Sequence, residues 1–156
     1  MWEAERPRLE GKEFHMNAAY MLGRILLSLI FVVAGIQKLM DVRATTDMLT
    51  ATKIPIPDQI VPYLGGIPKY EALAYLVAAI EIICGLTVLI GLKARWGALV
   101  LIVFTAGTII LVHHFWDMSG EAFNSNLTEA LKNLSIMGGL LLVVAVGAGP
   151  SSVDRR

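Results

Sequence analysis

Apolar residues gather along the chain in four blocks, near residues 18–39, 73–92, 96–116 and 131–148. Each block is close to the roughly 20 residues that an α-helix needs to cross the hydrocarbon core of a bilayer. Polar connections separate the blocks, so successive helices would run in opposite directions. The pattern predicts an all-α integral membrane protein, an antiparallel bundle of four transmembrane helices over residues 18–148.

The polar connections differ in length and composition. Residues 1–17 contain Pro7 and Gly11 and have no apolar periodicity, which predicts a flexible polar tail. The loop at 41–71 has room for a short surface helix over 43–52, after which its prolines and glycines exclude a long regular element. A loop of this length is often functional rather than a plain linker.

The signals around the fourth block predict where its helix begins and ends. Asn126 or Thr128 would cap the helix before Glu129. Gly149 and Pro150 would end it, which leaves residues 149–156 as a short C-terminal tail.

Composition supports a membrane protein and narrows its chemistry. The chain is 56% hydrophobic with a formal net charge of zero, so no basic excess points to nucleic acid. Cys84 is the single cysteine, which excludes an internal disulfide and a dithiol relay for electrons. Residues 93–95 make a tight turn on the side of the termini. That side carries eight Lys and Arg residues against five on the other, which predicts cytoplasmic termini and an extracytoplasmic 41–71 loop.

Two spans carry polar residues that a lipid-facing helix would not need. Arg24, Ser28, Gly35 and Lys38 share one face of the first span, because they recur at helical spacing. Glu81 lies near the middle of the second span, where a charged group costs about 2.5–3.5 kcal/mol on insertion scales. Both faces should therefore point into the bundle.

Glu81 needs a cationic partner, and helix rise suggests which residue supplies it. Counted from the ends of the predicted spans, Arg24 lies closer in depth to Glu81 than Lys38 does. The expected intramembrane ion pair is Arg24 with Glu81. It would be either a structural lock or a proton-relay site, since intramembrane ionisable groups often mark function.

A second polar layer is predicted at the opposite end of the bundle. Because successive spans cross the membrane in opposite directions, the end of the first, the end of the third and the start of the fourth would lie at a similar depth. One interpretation is that these polar side chains extend to the membrane surface or cap helix ends. The other is a shallow binding layer for an anionic or quinone-like headgroup. Its candidate residues are Gln37, Lys38, His113, His114, Lys132 and Asn133.

Several kinds of catalytic site are not indicated. Adjacent residues on a helix point about 100° apart, so His113 and His114 are poorly placed to bind one metal together. His15 lies in the tail and is no second haem ligand. The sequence has no nucleophile elbow, zinc-protease, Walker or dinucleotide motif. We expect no metal or catalytic residue and no cofactor, with a quinone as the alternative.

Several motifs together resemble the DoxX family over residues 18–150. The first span contributes Gly23-Arg24 and Gly35 with Lys38-Leu39. The other segments that carry the resemblance are Glu81 with Gly85, Gly91-Leu92 with Arg95, His114, and Lys132-Asn133. The N-terminal tail is longer than the family pattern, and residues 149–154 only approximate the family's glycine-then-serine-aspartate ending.

The resemblance implies a four-helix bacterial inner-membrane protein in a functionally heterogeneous family. Some members look like small subunits of quinone-linked sulfur-oxidising enzymes, and another is a scaffold that joins soluble redox enzymes. The leading hypothesis is a non-catalytic accessory or scaffold subunit of a membrane redox or respiratory assembly. The expected partners are the lipid bilayer and other membrane or peripheral redox proteins, and a homo-oligomer is a further alternative. Two other hypotheses remain, a quinone-interacting oxidoreductase subunit of the thiosulfate:quinone type and a transporter of small solutes or lipids.

Overall fold

The computed structural model describes residues 6–149 and 151–154, with side chains from residue 15 onward. Over these residues the chain forms α-helices and short 3-10 turns, and no β-strand. The five α-helices are α1 (Arg6–Met40), α2 (Val42–Ala51), α3 (Lys69–Ile90), α4 (Ala94–Leu111) and α5 (Gly120–Val146). Within the described chain, four segments are long and apolar enough to cross a membrane, and they lie in α1, in α3, in α4 with the turn that follows it, and in α5. This confirms the predicted all-α, four-span class.

Helix α1 is longer than the first apolar block. It spans 35 residues, which is roughly 52 Å at the rise of an α-helix. It includes residues 6–17, so the prediction of a flexible tail is wrong over that stretch, while residues 1–5 lie outside the described residues. Extending an existing helix adds one hydrogen bond for each residue that is fixed, which favours continuation beyond the apolar block.

Helices α1 and α3 cross closely at two glycines. A Cβ atom added at Gly35 would lie 2.9 Å from the carbonyl oxygen of Ala78, and one added at Gly85 would lie 2.9 Å from a methyl of Val32. Ala74 and Ala78 are buried on the same face of α3. Small residues allow this approach, as is common between transmembrane helices.

The connection between α1 and α3 is more ordered than a plain loop. The Asp41 side chain accepts a hydrogen bond from the backbone N–H of Ala44 at 2.9 Å and caps α2. Helix α2 packs against α3 and buries Thr45 and Leu49. It lies where the sequence predicts a short surface helix. A 3-10 turn follows at Asp58–Leu64, and no long helix forms among the prolines.

A tight turn joins α3 to α4. Gly91 adopts a left-handed conformation with φ of 73°, and Lys93 follows with φ of 48°. The backbone N–H groups of Gly91 and Leu92 donate to carbonyls in the last turn of α3, which closes the helix. This turn lies at 91–93, close to the predicted turn at 93–95.

The boundaries of α4 and α5 differ from those predicted. Helix α4 ends at Leu111 rather than near 116, and a 3-10 turn follows at Phe115–Asp117. Helix α5 begins at Gly120, so Asn126 and Thr128 lie inside it and the predicted caps are wrong. Their side chains donate to backbone carbonyls four residues earlier, where they satisfy polar groups without ending the helix.

The fourth span also ends earlier than predicted. Helix α5 ends at Val146, where Gly147 takes a positive φ of 93°. The predicted stop at Gly149-Pro150 therefore lies beyond the helix, and Pro150 is outside the described residues. The carbonyls at this end of α5 are left for partners in other elements.

The bundle has a continuous apolar core with apolar side chains also on its outside. The core contains Phe31, Val88, Ala94, Ala98, Leu101, Leu140 and Val143. Exposed leucines, isoleucines and valines occur on the outer faces of all four long helices. Such faces suit the hydrocarbon of a bilayer. We call the end with the 91–93 turn and residues 147–154 the terminal end, and the end with residues 41–68 and 112–119 the loop end.

Candidate functional site

A buried ion pair joins α1 to α3 inside the bundle. The Lys38 Nζ lies 2.7 Å from Oε2 of Glu81 and 3.0 Å from Oε1. The Glu81 side chain is only 6% exposed and that of Lys38 is 23% exposed. Both oxygens of the carboxylate therefore face one ammonium group in a largely apolar setting.

The close crossing at Gly35 positions this ion pair. Gly35 lies three residues before Lys38 on α1, and its missing side chain leaves room for the backbone of α3. A Cβ atom at Gly35 would lie 3.1 Å from the Cβ of Glu81. The small residues on the two helices thus bring the carboxylate within reach of the Lys38 stem.

The predicted pair of Arg24 with Glu81 is wrong. The Arg24 guanidinium lies at the terminal end, where a Cβ atom at Gly91 would be 2.6 Å from its Nη1. Glu81 is ten residues from Gly91 along α3, or roughly 15 Å. Lys38 is fourteen residues from Arg24 along α1, or roughly 21 Å. The backbone of Lys38 therefore lies about 6 Å beyond the level of Glu81, a distance that a lysine side chain can cover.

Arg24 binds the backbone just beyond α5. Its Nη1 donates to the carbonyl of Ala148, and its Nη2 donates to the carbonyl of Ser151 at 3.1 Å. Arg24 is 3% exposed, so the predicted inward orientation is correct although its partner is not. A planar guanidinium suits this role because it can serve two carbonyls at once.

The chain after α5 is held at several further points. We call residues 147–154 the C-terminal segment. The backbone N–H groups of Val153 and Asp154 donate to the carbonyls of Ile90 and Gly91, each at 3.1 Å. The Asp154 carboxylate also accepts from the backbone N–H of Lys93. The segment is thereby fixed across the turn between α3 and α4.

Two more side chains bind the last residues of α5 and the start of this segment. The Tyr20 hydroxyl donates to the carbonyl of Gly147. Arg95 Nη2 lies 3.3 and 3.4 Å from the carbonyls of Ala145 and Val146. These contacts serve the unpaired carbonyls that every helix C-terminus leaves. Sequence reasoning did not predict this arrangement.

The predicted outer layer does not form one cluster. Gln37 is exposed, and Lys38 faces Glu81. Lys132, a candidate residue of that layer, does not point inward: its side chain is 60% exposed and pairs with Glu129 at 2.6 Å on the same helix. Neighbours three residues apart on a helix face each other, which explains that choice of partner.

The two adjacent histidines also have separate partners. His113 Nδ1 lies 3.1 Å from the side-chain oxygen of Asn126 on α5. His114 Nε2 lies 3.8 Å from the Asp117 carboxylate in the 3-10 turn. Asn133 is only partly buried, and among the described residues no side-chain hydrogen bond joins it to either histidine. The layer is a set of local pairs rather than a shared pocket.

The residues with potential chemistry are thus divided between two ends. In the part of the chain that the structure describes, no three His, Cys, Asp or Glu side chains are grouped so that they could hold a metal ion. The Lys38–Glu81 pair can fix α1 against α3, since separating its charges within an apolar bundle is costly. The Arg24 cluster can fix the C-terminal segment.

Comparison with known proteins identifies the chain's relatives. The family model described as DoxX matches residues 19–114. The chain belongs to the DoxX family. Inner membrane protein YphA of Escherichia coli K12 is 31% identical over 137 residues, which are 87% of this chain and 88% of YphA. No solved structure matches the chain significantly.

Two further relatives cover most of the chain. Inner membrane protein YqjF of Escherichia coli K12 is 31% identical over 143 residues, 89% of this chain and 92% of that protein. Uncharacterized membrane protein Rv3486 of Mycobacterium tuberculosis H37Rv is 32% identical over 149 residues, 85% of this chain and 77% of the relative. These matches support an integral membrane protein of the inner-membrane type.

Proposed function

We propose that this DoxX protein is a non-catalytic scaffold subunit of a membrane-bound redox or respiratory assembly, and that it binds its partner at the terminal end. The observation that carries the proposal is the extension of α1. The first apolar block begins near residue 18, about twelve residues after α1 begins at Arg6. Roughly 18 Å of helix therefore continues beyond the apolar block.

This extension has a composition that rarely forms a helix alone. Residues 6–14 include three basic and two acidic residues together with Pro7, and Gly11 lowers helix propensity by about 1 kcal/mol relative to alanine. A helical segment this rich in charged residues usually bridges to another domain or depends on many side-chain pairs. Binding of a partner along the extension would supply this stabilisation.

The fixed C-terminal segment adds to the same surface. Arg24, Tyr20 and the 91–93 turn hold it against the bundle, so this end presents a rigid base beside the projecting helix. A rigid base reduces the entropy lost when a partner binds. The redox character of that partner follows from the family resemblance alone.

The two alternative functions have less geometric support. A quinone site built from Lys38, His114 and Lys132 would need these side chains to converge, and they have separate partners. A transporter centred on Arg24 and Glu81 would need those groups at one depth. They lie roughly 15 Å apart along the bundle.

The test is purification of the full chain from native membranes in mild detergent, followed by mass spectrometry of co-purifying proteins. The proposal predicts a specific oxidoreductase in stoichiometric amounts with the wild-type protein and its loss when residues 2–14 are deleted. Lys53→Gln is the matched control at the loop end and should retain the partner. A monodisperse particle with no co-purifying protein would contradict the proposal.

A further inference from the structure

A small pocket lies between α2 and α3 at the loop end, away from the buried ion pair. It has a volume of about 280 Å³ and is lined by Val42, Arg43 and Thr46 from α2 and by Glu71 and Tyr75 from α3. The α2 residues follow the spacing of one helix face, as do the α3 residues. The pocket is slightly smaller than the roughly 300–1,000 Å³ of sites for drug-sized ligands.

The pocket has two opposite charges that do not pair with each other. Among the described residues, neither Arg43 nor Glu71 lies within 4 Å of an oppositely charged group. Arg43 comes from α2 and Glu71 from the first turn of α3, so the two charges line opposite walls of the pocket. A ligand with separated positive and negative groups could satisfy both.

A buried hydroxyl group points to a missing hydrogen-bond partner in the same place. The Thr46 Oγ1 is buried and has no partner among the described residues. Buried polar atoms in proteins are nearly always hydrogen-bonded, and Thr46 also lines the pocket, so a ligand oxygen could supply the missing partner once the side chains that cover this hydroxyl move aside. It lies one turn of helix after Val42 and next to the Arg43 side of the pocket.

The position of the pocket suggests a lipid. Glu71 is in the first turn of α3, where a helix long and apolar enough to cross a membrane begins, which would place it near the bilayer surface. Leu76, beside Tyr75, is 55% exposed on the flank of the same helix. A headgroup could enter the pocket while its acyl chains lie along this apolar flank.

We propose that this pocket binds the phosphoethanolamine headgroup of a zwitterionic phospholipid. The phosphate meets Arg43 and the Thr46 hydroxyl, and the ammonium group donates to the Glu71 carboxylate. An anionic headgroup without an amine would be repelled by Glu71. A choline headgroup has no N–H to donate, and a single aromatic residue, Tyr75, does not form the cage that quaternary ammonium groups prefer.

The experiment titrates delipidated full-length protein with phosphatidylethanolamine, phosphatidylcholine and phosphatidylglycerol and measures bound lipid by native mass spectrometry. Phosphatidylethanolamine should bind roughly tenfold more tightly than the others, or about 1.4 kcal/mol, because among the three only its headgroup has both a phosphate for Arg43 and an N–H donor for Glu71. Arg43→Gln and Glu71→Gln should each remove roughly that factor. Lys53→Gln and Glu121→Gln, which change matched charges outside the pocket, should bind as wild type.

A more conservative substitution tests the same pocket in a variant that should fold as the wild type does. Thr46→Val keeps the side-chain shape and should weaken phosphatidylethanolamine binding roughly fivefold with an unchanged melting temperature, since it removes one hydrogen bond. Equal binding of the three lipids, or wild-type binding by both charge variants, would overturn the proposal. Soluble glycerophosphoethanolamine that binds as tightly as the lipid would overturn the lipid assignment.

Discussion

Lys38 shows how the direction of a side chain can decide a pairing that helix rise alone does not. Its Cα lies near the end of α1, which suggested a position too far from Glu81. The lysine stem instead extends back into the bundle, and the ammonium group meets the carboxylate. The sequence did predict that Glu81 and Arg24 face inward, because the small residues and the polar stripe mark those faces.

The partners of Arg24 were not predictable from the same pattern. Backbone carbonyls beyond a helix end carry no signature in side-chain type, and here they belong to residues more than a hundred positions later. The resemblance to the family ending was the available signal, and the sequence only approximates it.

Replacing Arg24 tests its role in holding the C-terminal segment. Arg24→Gln should release the carbonyls of Ala148 and Ser151 and lower the free energy of unfolding by about 1–3 kcal/mol. Arg24→Lys should recover only part of the loss, since an ammonium group cannot reproduce the planar fork. Hydrogen exchange should speed up at Val153 and Asp154. Unchanged exchange there in Arg24→Gln would show that the segment does not depend on this residue.

At the scale of elements, the sequence predicted the helices better than their ends. The apolar blocks identified all four spans, and the 43–52 stretch identified α2. The sequence predicts the start of α5 too late, because Asn126 and Thr128 are residues that often cap helices. In the structure their side chains donate to carbonyls of the preceding helical turn. Residue type alone does not distinguish this role inside a helix from capping at its start.

The α1–α3 crossing gives a prediction with a matched control. Gly35→Ala places a methyl 2.9 Å from the Ala78 carbonyl and should lower the unfolding free energy by about 1–3 kcal/mol, as overpacking usually does. Gly107→Ala in α4 meets nothing within 4 Å and should be neutral or stabilise by about 0.5–1 kcal/mol, through helix propensity. Denaturation in the same detergent measures both. Equal effects of the two substitutions would contradict the close crossing.

At the scale of the whole molecule, hydropathy was sufficient for the fold class. Backbone groups inside a bilayer must be satisfied within the segment, so four apolar blocks leave few alternatives to four helices. The arrangement of polar groups was harder, because it depends on helix lengths and on which helices touch. Helix α1 packs mainly on α3 and α4 mainly on α5, which separates Lys38 from Lys132.

The expected orientation can be measured by cysteine labelling. In a Cys84→Ala background, Lys53→Cys at the loop end should react with a membrane-impermeant maleimide in intact spheroplasts. Lys93→Cys at the terminal end should react only after lysis, since the excess of positive charge favours cytoplasmic termini. Both positions are exposed, so accessibility reports the side of the membrane. Labelling of Lys93→Cys before lysis would reverse the topology.

The separation of the two polar layers is tested most directly by a double-mutant cycle on unfolding free energy in detergent. Lys38→Met and Glu81→Gln should each destabilise by about 3–5 kcal/mol, because each leaves a buried group without its partner. Their effects should show a coupling of about 1–3 kcal/mol. Arg24→Gln and Glu81→Gln should add within about 0.5 kcal/mol. Additive effects for the first pair together with coupling in the second would contradict the arrangement described above.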